Sequence, residues 1–518
     1  MNNNLRMFIL FGVIILVFGY YAYFTPKITR TVTVDTTVIA DTATGKTIDT
    51  AKNISEQVIA NSDIPQDTAV YLFETELYRG SISSLSGGIS KFHLLQFKSY
   101  KDTLSLLPDG SRAMEAVVII GNARYDLSNT NFTVLYKGDL SPLRVERDSI
   151  VLAAVVEGRT FTRTYVFSKD SYIIEHKLST SEPISSVEYL FEDGVSLTEK
   201  NAADDMLYYS LDAYSTNNVI KTKQKNVKNG ELAMSGSYSW MGIQTKYFFS
   251  GLIGEGKGYT AGLLSDKRLY GRFSFSSPNV LLYMGPIDYK ILKGMNNGMD
   301  KLPDFGWSII QPISKGILGF IHFMYRYVRN YGVIIIIISI LLIALFSPLT
   351  FKSYSSMSKM QTLQPEMEAL KKKYEKDPQR LNTETMNLYK KSGVNPFTGC
   401  LPMFIQMPVF FALYAILKTT IELRYAPFAF WLTDLASKDP YYVLPILTGA
   451  TMFVSQKLSL TNQSQKMMVY IMPIMLTFLF LSLPSGINLY WLTYNLLSVV
   501  QQIIIKKAIN KQTGVQNG

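Results

Sequence analysis

The chain has 518 residues, 47% of them hydrophobic, a net charge of +11, one cysteine (Cys400) and three histidines (His93, His176 and His322). One cysteine excludes an internal disulfide and a Cys-rich metal site, and no two histidines stand at a metal-ligand spacing. The charge would suit nucleic acid, but it gathers between and after apolar runs, as in the cytoplasmic loops of a membrane protein.

Met7–Phe24 is apolar or aromatic apart from Gly12 and Gly19, with Arg6 before it and Thr25, Pro26 and Lys27 after it. A bilayer span needs about 20 helical residues, and no small-x-small cleavage site follows. Residues 1–24 are therefore expected to be an uncleaved anchor. Thr31–Ile64, rich in Thr, Ala, Asp and Ser, reads as a lead-in linker. From about Val70 to Met284 short β-branched and aromatic runs follow one another, such as Val70–Phe73, Ala116–Ile120, Phe132–Tyr136 and Tyr165–Phe167. Turn signals such as Ser86-Gly87-Gly88 and Pro108-Asp109-Gly110 separate them. The pattern predicts a large all-β sandwich, 25–301 with its lead-in.

In residues 302–330, Ile309, Ile313, Ile317, Phe320 and Phe323 recur at helical spacing, which predicts an amphipathic helix lying in the membrane interface. Five further spans are expected in the region 331–505: Val333–Leu349, Leu401–Leu417, Tyr441–Val454, Met467–Leu483 and Ile487–Ile505. With the anchor they make six. From a cytoplasmic N-terminus, alternation puts Lys352–Lys391, Lys457–Lys466 and the basic tail 506–518 inside. The β domain, Thr419–Pro440 and Pro484–Gly486 then fall outside, with Lys418, Arg424 and Lys438 as exceptions to the charge rule.

The last span carries Asn488, Trp491, Asn495, Ser498 and Gln502 at steps of three and four, one narrow stripe at 3.6 residues per turn. Lipid offers such groups no partner, so the stripe faces protein or trapped water. Other polar faces agree: Ser339, Ile343 and Ser347 on the second span, Gln406 on the third, and Thr448, Thr451 and Ser455 with adjacent Gln456 on the fourth. These support a wet groove. Ordinary interhelical bonding, or hydroxyls bonding back to their own helix, would also account for them.

Between the second and third spans, 352–391 reads as a charged helical hairpin broken at Asp377-Pro378. Met357, Met360, Leu363, Met367, Leu370 and Tyr374 form its apolar stripe, and Lys371, Lys372 and Lys373 its densest charge. Methionine adapts to varied partners, so the hairpin suits docking of variable partners; equally, the stripe packs on itself and the lysines are solvated. Catalytic signals are weak. Gly251-Leu252-Ile253-Gly254-Glu255-Gly256-Lys257 fits most of a phosphate loop, yet Gly258 stands where Ser or Thr would hold magnesium and no helical pattern follows. No catalytic triad or carboxylate pair is evident in the membrane region, so no enzyme, nucleotide, metal or other cofactor is expected.

The ordered strings Ser347-Pro348-Leu349-Thr350, Met357-Ser358-Lys359-Met360, Val394-Asn395-Pro396, Gly399-Cys400-Leu401-Pro402, Ile405-Gln406-Met407-Pro408, Asp439-Pro440-Tyr441-Tyr442 and Pro484-Ser485-Gly486 resemble the YidC family of membrane protein insertases, whose relatives serve mitochondria and chloroplasts. The likeness covers roughly 305–505; the β domain is similar only in position and character. The resemblance implies an α-helical polytopic protein of the bacterial inner membrane with a large periplasmic β-sandwich. Its five-helix core would enclose a hydrophilic groove open to cytoplasm and lipid. It further implies client contacts at Ser339, Met407, Phe410, Tyr490 and Trp491. The implied partners are nascent membrane proteins, the ribosome, the Sec translocon and membrane lipids. The family's groove arginine falls at Ile343, so a groove working by hydration and hydrophobic sliding is expected. The alternative is a holdase acting only downstream of the translocon. A transporter would instead show internal repeats and a closed midplane site.

Overall fold

A computed structural model describes residues 69–97, 103–216, 218–227, 230–395, 401–458 and 466–513. The expected anchor Met7–Phe24, the linker Thr31–Ile64, Cys400 and the end of the tail lie outside the described residues. Two compact units emerge. One runs to Phe305 and takes in Lys418–Arg424; the other holds Gly306–Leu417 and the chain from Tyr425 onward.

The first unit is β-rich. Strands β1 (Val70–Glu74), β2 (Tyr78–Ser83), β3 (Ile89–Leu94) and β4 (Leu104–Ser105) form a small antiparallel sheet in sequence order. A 13-stranded sheet follows, with β5 (Glu115–Ile120), β6 (Ala123–Asp126), β7 (Thr133–Lys137), β8 (Arg147–Val156), β9 (Arg159–Ser168), β10 (Ile173–Ser179) and β11 (Ser186–Phe191). It is completed by β12 (Ser210–Ser215), β13 (Asn218–Thr222), β14 (Glu231–Gln244), β15 (Phe248–Leu263), β16 (Leu269–Phe275) and β17 (Val280–Pro286). Its main path runs β6-β5-β11-β16-β15-β17-β10-β9-β8-β7, and the hairpin layer β13-β12-β14 joins through β15. The phosphate-loop-like run Gly251–Lys257 lies inside β15, paired on both sides, so it cradles nothing. Two short helices, α1 (Ala202–Met206) and α2 (Tyr289–Gly294), complete the unit.

Residues from both sheets share one hydrophobic core, which includes Phe73, Tyr78, Phe92, Phe161, Trp240, Phe249 and Leu252. Period-two alternation builds it: in β9, Phe161, Arg163, Tyr165 and Phe167 all point inward. A buried arginine must be satisfied. Arg163 donates to the carbonyls of Ser86 and Met114, and its Nε lies 3.2 Å from His176 Nε2. The other ring nitrogen of His176 meets the Tyr189 hydroxyl at 3.1 Å. Burial, reinforced by the Arg163 charge, holds the His176 pKa well below the ordinary histidine value.

The second unit is helical: α3 (Gln311–Tyr325), α4 (Tyr331–Thr362), α5 (Gln364–Lys373), α6 (Pro378–Lys391), α7 (Leu401–Thr419), α8 (Val443–Leu458), α9 (Lys466–Phe480) and α10 (Ser485–Thr513). Among the described residues α4 alone is long and apolar enough by itself to qualify as a membrane span, while Val443–Leu458 and Val469–Phe480 are shorter apolar helices. Boundaries differ from expectation in several places, most of all around α3 to α5. The amphipathic helix occupies Gln311–Tyr325 rather than 302–330, and its buried face is Ser314, Leu318 and Ile321, leaving Ile309 exposed. Pro312 at its first turn and Asn330, which caps α4 through Val333 N, fix those limits. The span at Val333 also continues without a break to Thr362, so Met357 and Met360 belong to α4 and not to a separate hairpin. Gln364-Pro365 then starts a new helix, so the expected hairpin 352–391 is divided among α4, α5 and α6. The break at Asp377-Pro378 is where expected, with the Asp377 carboxylate accepting from Arg380 N at 3.0 Å.

Candidate functional site: a polar stripe within the helical unit

The stripe of α10 is assembled against α4, α7, α8 and α9. Its first turn carries Asn488, fully buried, whose Nδ2 donates to the carbonyls of Phe480, Leu483 and Pro484 at 3.1, 3.3 and 3.4 Å. It thereby ties off carbonyls left open where α9 ends. The turn before it is pinned by Ser485, whose N and Oγ both donate to Ser437 O. Next along α10, the buried Tyr490 hydroxyl accepts from Gln406 Nε2 of α7 at 3.3 Å. Trp491 sits edge-on to Phe410, 5.0 Å between ring centres, and 5.5 Å from the Phe480 ring.

Further down, Ser498 meets the Tyr354 hydroxyl of α4 at 3.4 Å, and Gln502 Nε2 donates to Ser455 Oγ of α8 at 2.7 Å. Gln501 donates to Ser347 of α4 at 2.9 Å. Here the stripe opens into a cleft lined by Tyr354, Met357, Gln361, Leu458, Gln502 and Lys506. Gly449 of α8 faces Thr477 of α9 closely, since a Cβ there would lie 2.0 Å from Thr477 Oγ1.

Five buried side-chain atoms in this unit have no hydrogen-bond partner among the described residues: Thr448 Oγ1, Gln456 Oε1, Asn488 Oδ1, Trp491 Nε1 and Asn495 Nδ2. Three belong to the α10 stripe and two to α8, which packs on it. An unmet buried polar atom costs roughly 1–3 kcal/mol, more in hydrocarbon.

Gln406, Phe410, Asn488, Tyr490 and Trp491 are thus brought together, with Asn495 on the same face of α10. Ser339 is fully buried but bonds back to Ile335 O at 2.9 Å, which is the self-satisfied arrangement. Ile343 is half-buried on α4, and Met407 is half-buried beside Gln406. Near the end of α4, Met360 is half-buried; on α5, Met367 is buried, Lys372 and Lys373 are exposed and Lys371 is half-buried. The sequence reading missed the α9 cap made by Asn488 and the Gln501–Ser347 bridge. The first has a sequence signal: an amide just after a Pro-Ser-Gly turn between two apolar helices.

A β-rich unit joined to helices that hold amides and hydroxyls inward and apolar chains outward defines a membrane protein with a large non-membrane domain. Residues 71–317 match the model described as YidC periplasmic domain, and residues 323–512 match that of the 60Kd inner membrane protein. The membrane protein insertase YidC of Citrifermentans bemidjiense is 35% identical over 466 residues, 84% of this chain and 85% of the relative. That of Syntrophus aciditrophicus is 36% identical over 469 residues, covering 84% of each. An active YidC insertase crystal structure with the first transmembrane domain resolved matches at 18% identity and TM-score 0.39, covering 87% of this chain and 98% of that one. The chain belongs to the YidC family of membrane protein insertases.

Proposed function

We propose that the helical unit is a six-span insertase, counting the anchor, whose five-helix core holds a hydrophilic groove. It inserts nascent membrane proteins and assists their folding, alone or beside the Sec translocon. The β unit lies in the periplasm, the N-terminus in the cytoplasm, and ribosomes dock on the basic hairpin at Lys371, Lys372 and Lys373. The carrying observation is the line of unmet buried polar atoms on α8 and α10. Such atoms are tolerable where water reaches them, and wetted helices lower the barrier to moving a client's polar flank. Burial of the client's apolar segment drives the transfer, so no nucleotide is required.

The client path runs past Gln406, Met407, Phe410, Tyr490 and Trp491, with the wet wall at Gln456, Asn488 and Asn495 and with Ser339 and Ile343 facing it. Met357, Met360 and Met367 receive varied apolar segments. Because Ile343 supplies no cation, acidic tails are handled by hydration, and an Ile343→Arg variant leaves insertion of acidic-tailed clients unchanged; a large gain shows that nothing replaces the charge. The decisive test is water access. Cysteines at 488 and 495 are expected to react with a small polar maleimide in membranes, and a probe at Tyr490 or Met407 to cross-link a stalled nascent chain. If both cysteines stay unlabelled, the groove is dry and the reading fails. The competing holdase reading requires insertion to vanish on translocon depletion.

A further inference from the structure

The β unit is not continuous in sequence. Its last piece, Lys418–Arg424, is the stretch that follows α7, and the final two residues of α7 already belong to it. Sequence reading left Arg424 as a stray cation in an outer loop. In the structure its side chain is 3% exposed and its Nε lies 2.7 Å from Glu199 Oε1, 225 residues away in sequence. A second guanidinium nitrogen donates to Thr198 O, and the group lies 5.5 Å above the Phe248 ring. Leu423 is 1% exposed and Ile421 joins the main β core. Upstream, Thr419 donates to Asp304 O, Tyr247 donates to Lys418 O, and the Lys418 ammonium sits over the Tyr208 ring.

The receiving surface is braced from within the β unit. Fully buried Asp205 accepts from Thr198 N at 2.7 Å, Glu199 N at 3.3 Å and Lys246 N at 2.8 Å. One carboxylate therefore fixes both the turn that presents Glu199 and the loop that leads to Phe248. Lys246 is itself held by Asp204 at 2.7 Å. Burial raises the Glu199 carboxyl, with the Arg424 charge pulling it back. A group so placed is costly to leave unpaired.

We propose that Lys418–Arg424 is a strap which the β unit binds as a peptide, locked by the Arg424–Glu199 pair, and that the β unit thereby anchors the end of α7. This helix carries Gln406, Met407 and Phe410, so the strap holds one wall of the client path in register. This gives the β unit a mechanical role in insertion, where loss of a single buried ion pair would free the helix end.

The test uses the full chain in membranes, with Cys400→Ser and a reporter Leu423→Cys labelled by a polar maleimide. Labelling is slow with the lock intact and at least about tenfold faster with Glu199→Ala, because the buried Arg424 charge then loses the carboxylate that balances it. Exchanging the charges (Glu199→Arg with Arg424→Glu) restores slow labelling, and Glu199→Gln, which keeps the shape, falls between. Insertion of a translocon-independent client drops and recovers in the same order. Equal labelling of the parent and Glu199→Ala overturns the lock; faster labelling with unchanged insertion overturns the anchoring role. The insertion arm rests on the function proposed above but the labelling arm does not, so a parent chain that inserts nothing condemns that function and leaves the strap still tested.

Discussion

The two units are built inside out with respect to each other. In the β unit Trp240, Phe249 and Leu252 are fully buried, and the charged Arg163 and Asp205 enter the core only where backbone groups meet them. In the helical unit Asn488 and Thr448 are fully buried, while Leu345, Ile446, Ile474, Phe478 and Ile504 stand exposed. Apolar surface of that extent is unsustainable in water and unremarked in lipid. Each unit is thus folded for a different solvent, and the same kind of substitution must have opposite consequences in the two.

Phe249→Ala empties a fully enclosed site and is expected to cost about 3–5 kcal/mol, whereas Phe478→Ala, at a ring 69% exposed, leaves denaturation of the helical unit nearly unchanged. Equal losses in urea titrations would erase the distinction. Charge makes the next largest contrast. Phe478→Lys puts an ammonium into the hydrocarbon and is expected to cost about 2.5–3.5 kcal/mol, read as reduced membrane integration. Tyr136→Lys, on a water-facing strand, changes stability by no more than about 0.5 kcal/mol.

Protons give a third, smaller contrast. His176 has a depressed pKa in the fold, so the unfolded chain binds a proton that the native β unit refuses. Stability is therefore whole above about pH 6.5 and falls as pH drops below it, by at most about 1.4 kcal/mol per pH unit. The urea midpoint of the β unit, followed by protease resistance, shows this slope, and His176→Gln flattens it. Ser339→Ala is the smallest effect: its hydroxyl only bonds back to Ile335, so the loss stays under about 0.5 kcal/mol. A strong insertion defect in that variant would instead make Ser339 a direct client contact.

Much of this was legible along the chain. Alternation in β9 and the apolar runs of α4 and α8–α10 are local patterns, because a strand repeats every two residues and a helix every 3.6. The α10 stripe was visible for the same reason. Its partners were not: Gln406 with Tyr490, Gln501 with Ser347 and Gln502 with Ser455 join helices far apart in sequence. Helix ends shifted where a local stop signal was overridden: Pro348 lies inside α4, which runs on past the expected edge of its span to Thr362.

The sequence by itself determined that this chain has a β-rich domain, a helical membrane region with polar faces, and the ordered motifs of its family, because each of these is written in neighbouring residues. Only the tertiary structure decided which polar atoms are met and which are not, that Ser339 serves itself, and that Lys418–Arg424 belongs to the β unit. The physical reason is that burial and pairing depend on what the fold brings near. Arg424 is a loop cation when read beside its sequence neighbours, and the fold makes it a buried ion-pair partner of Glu199.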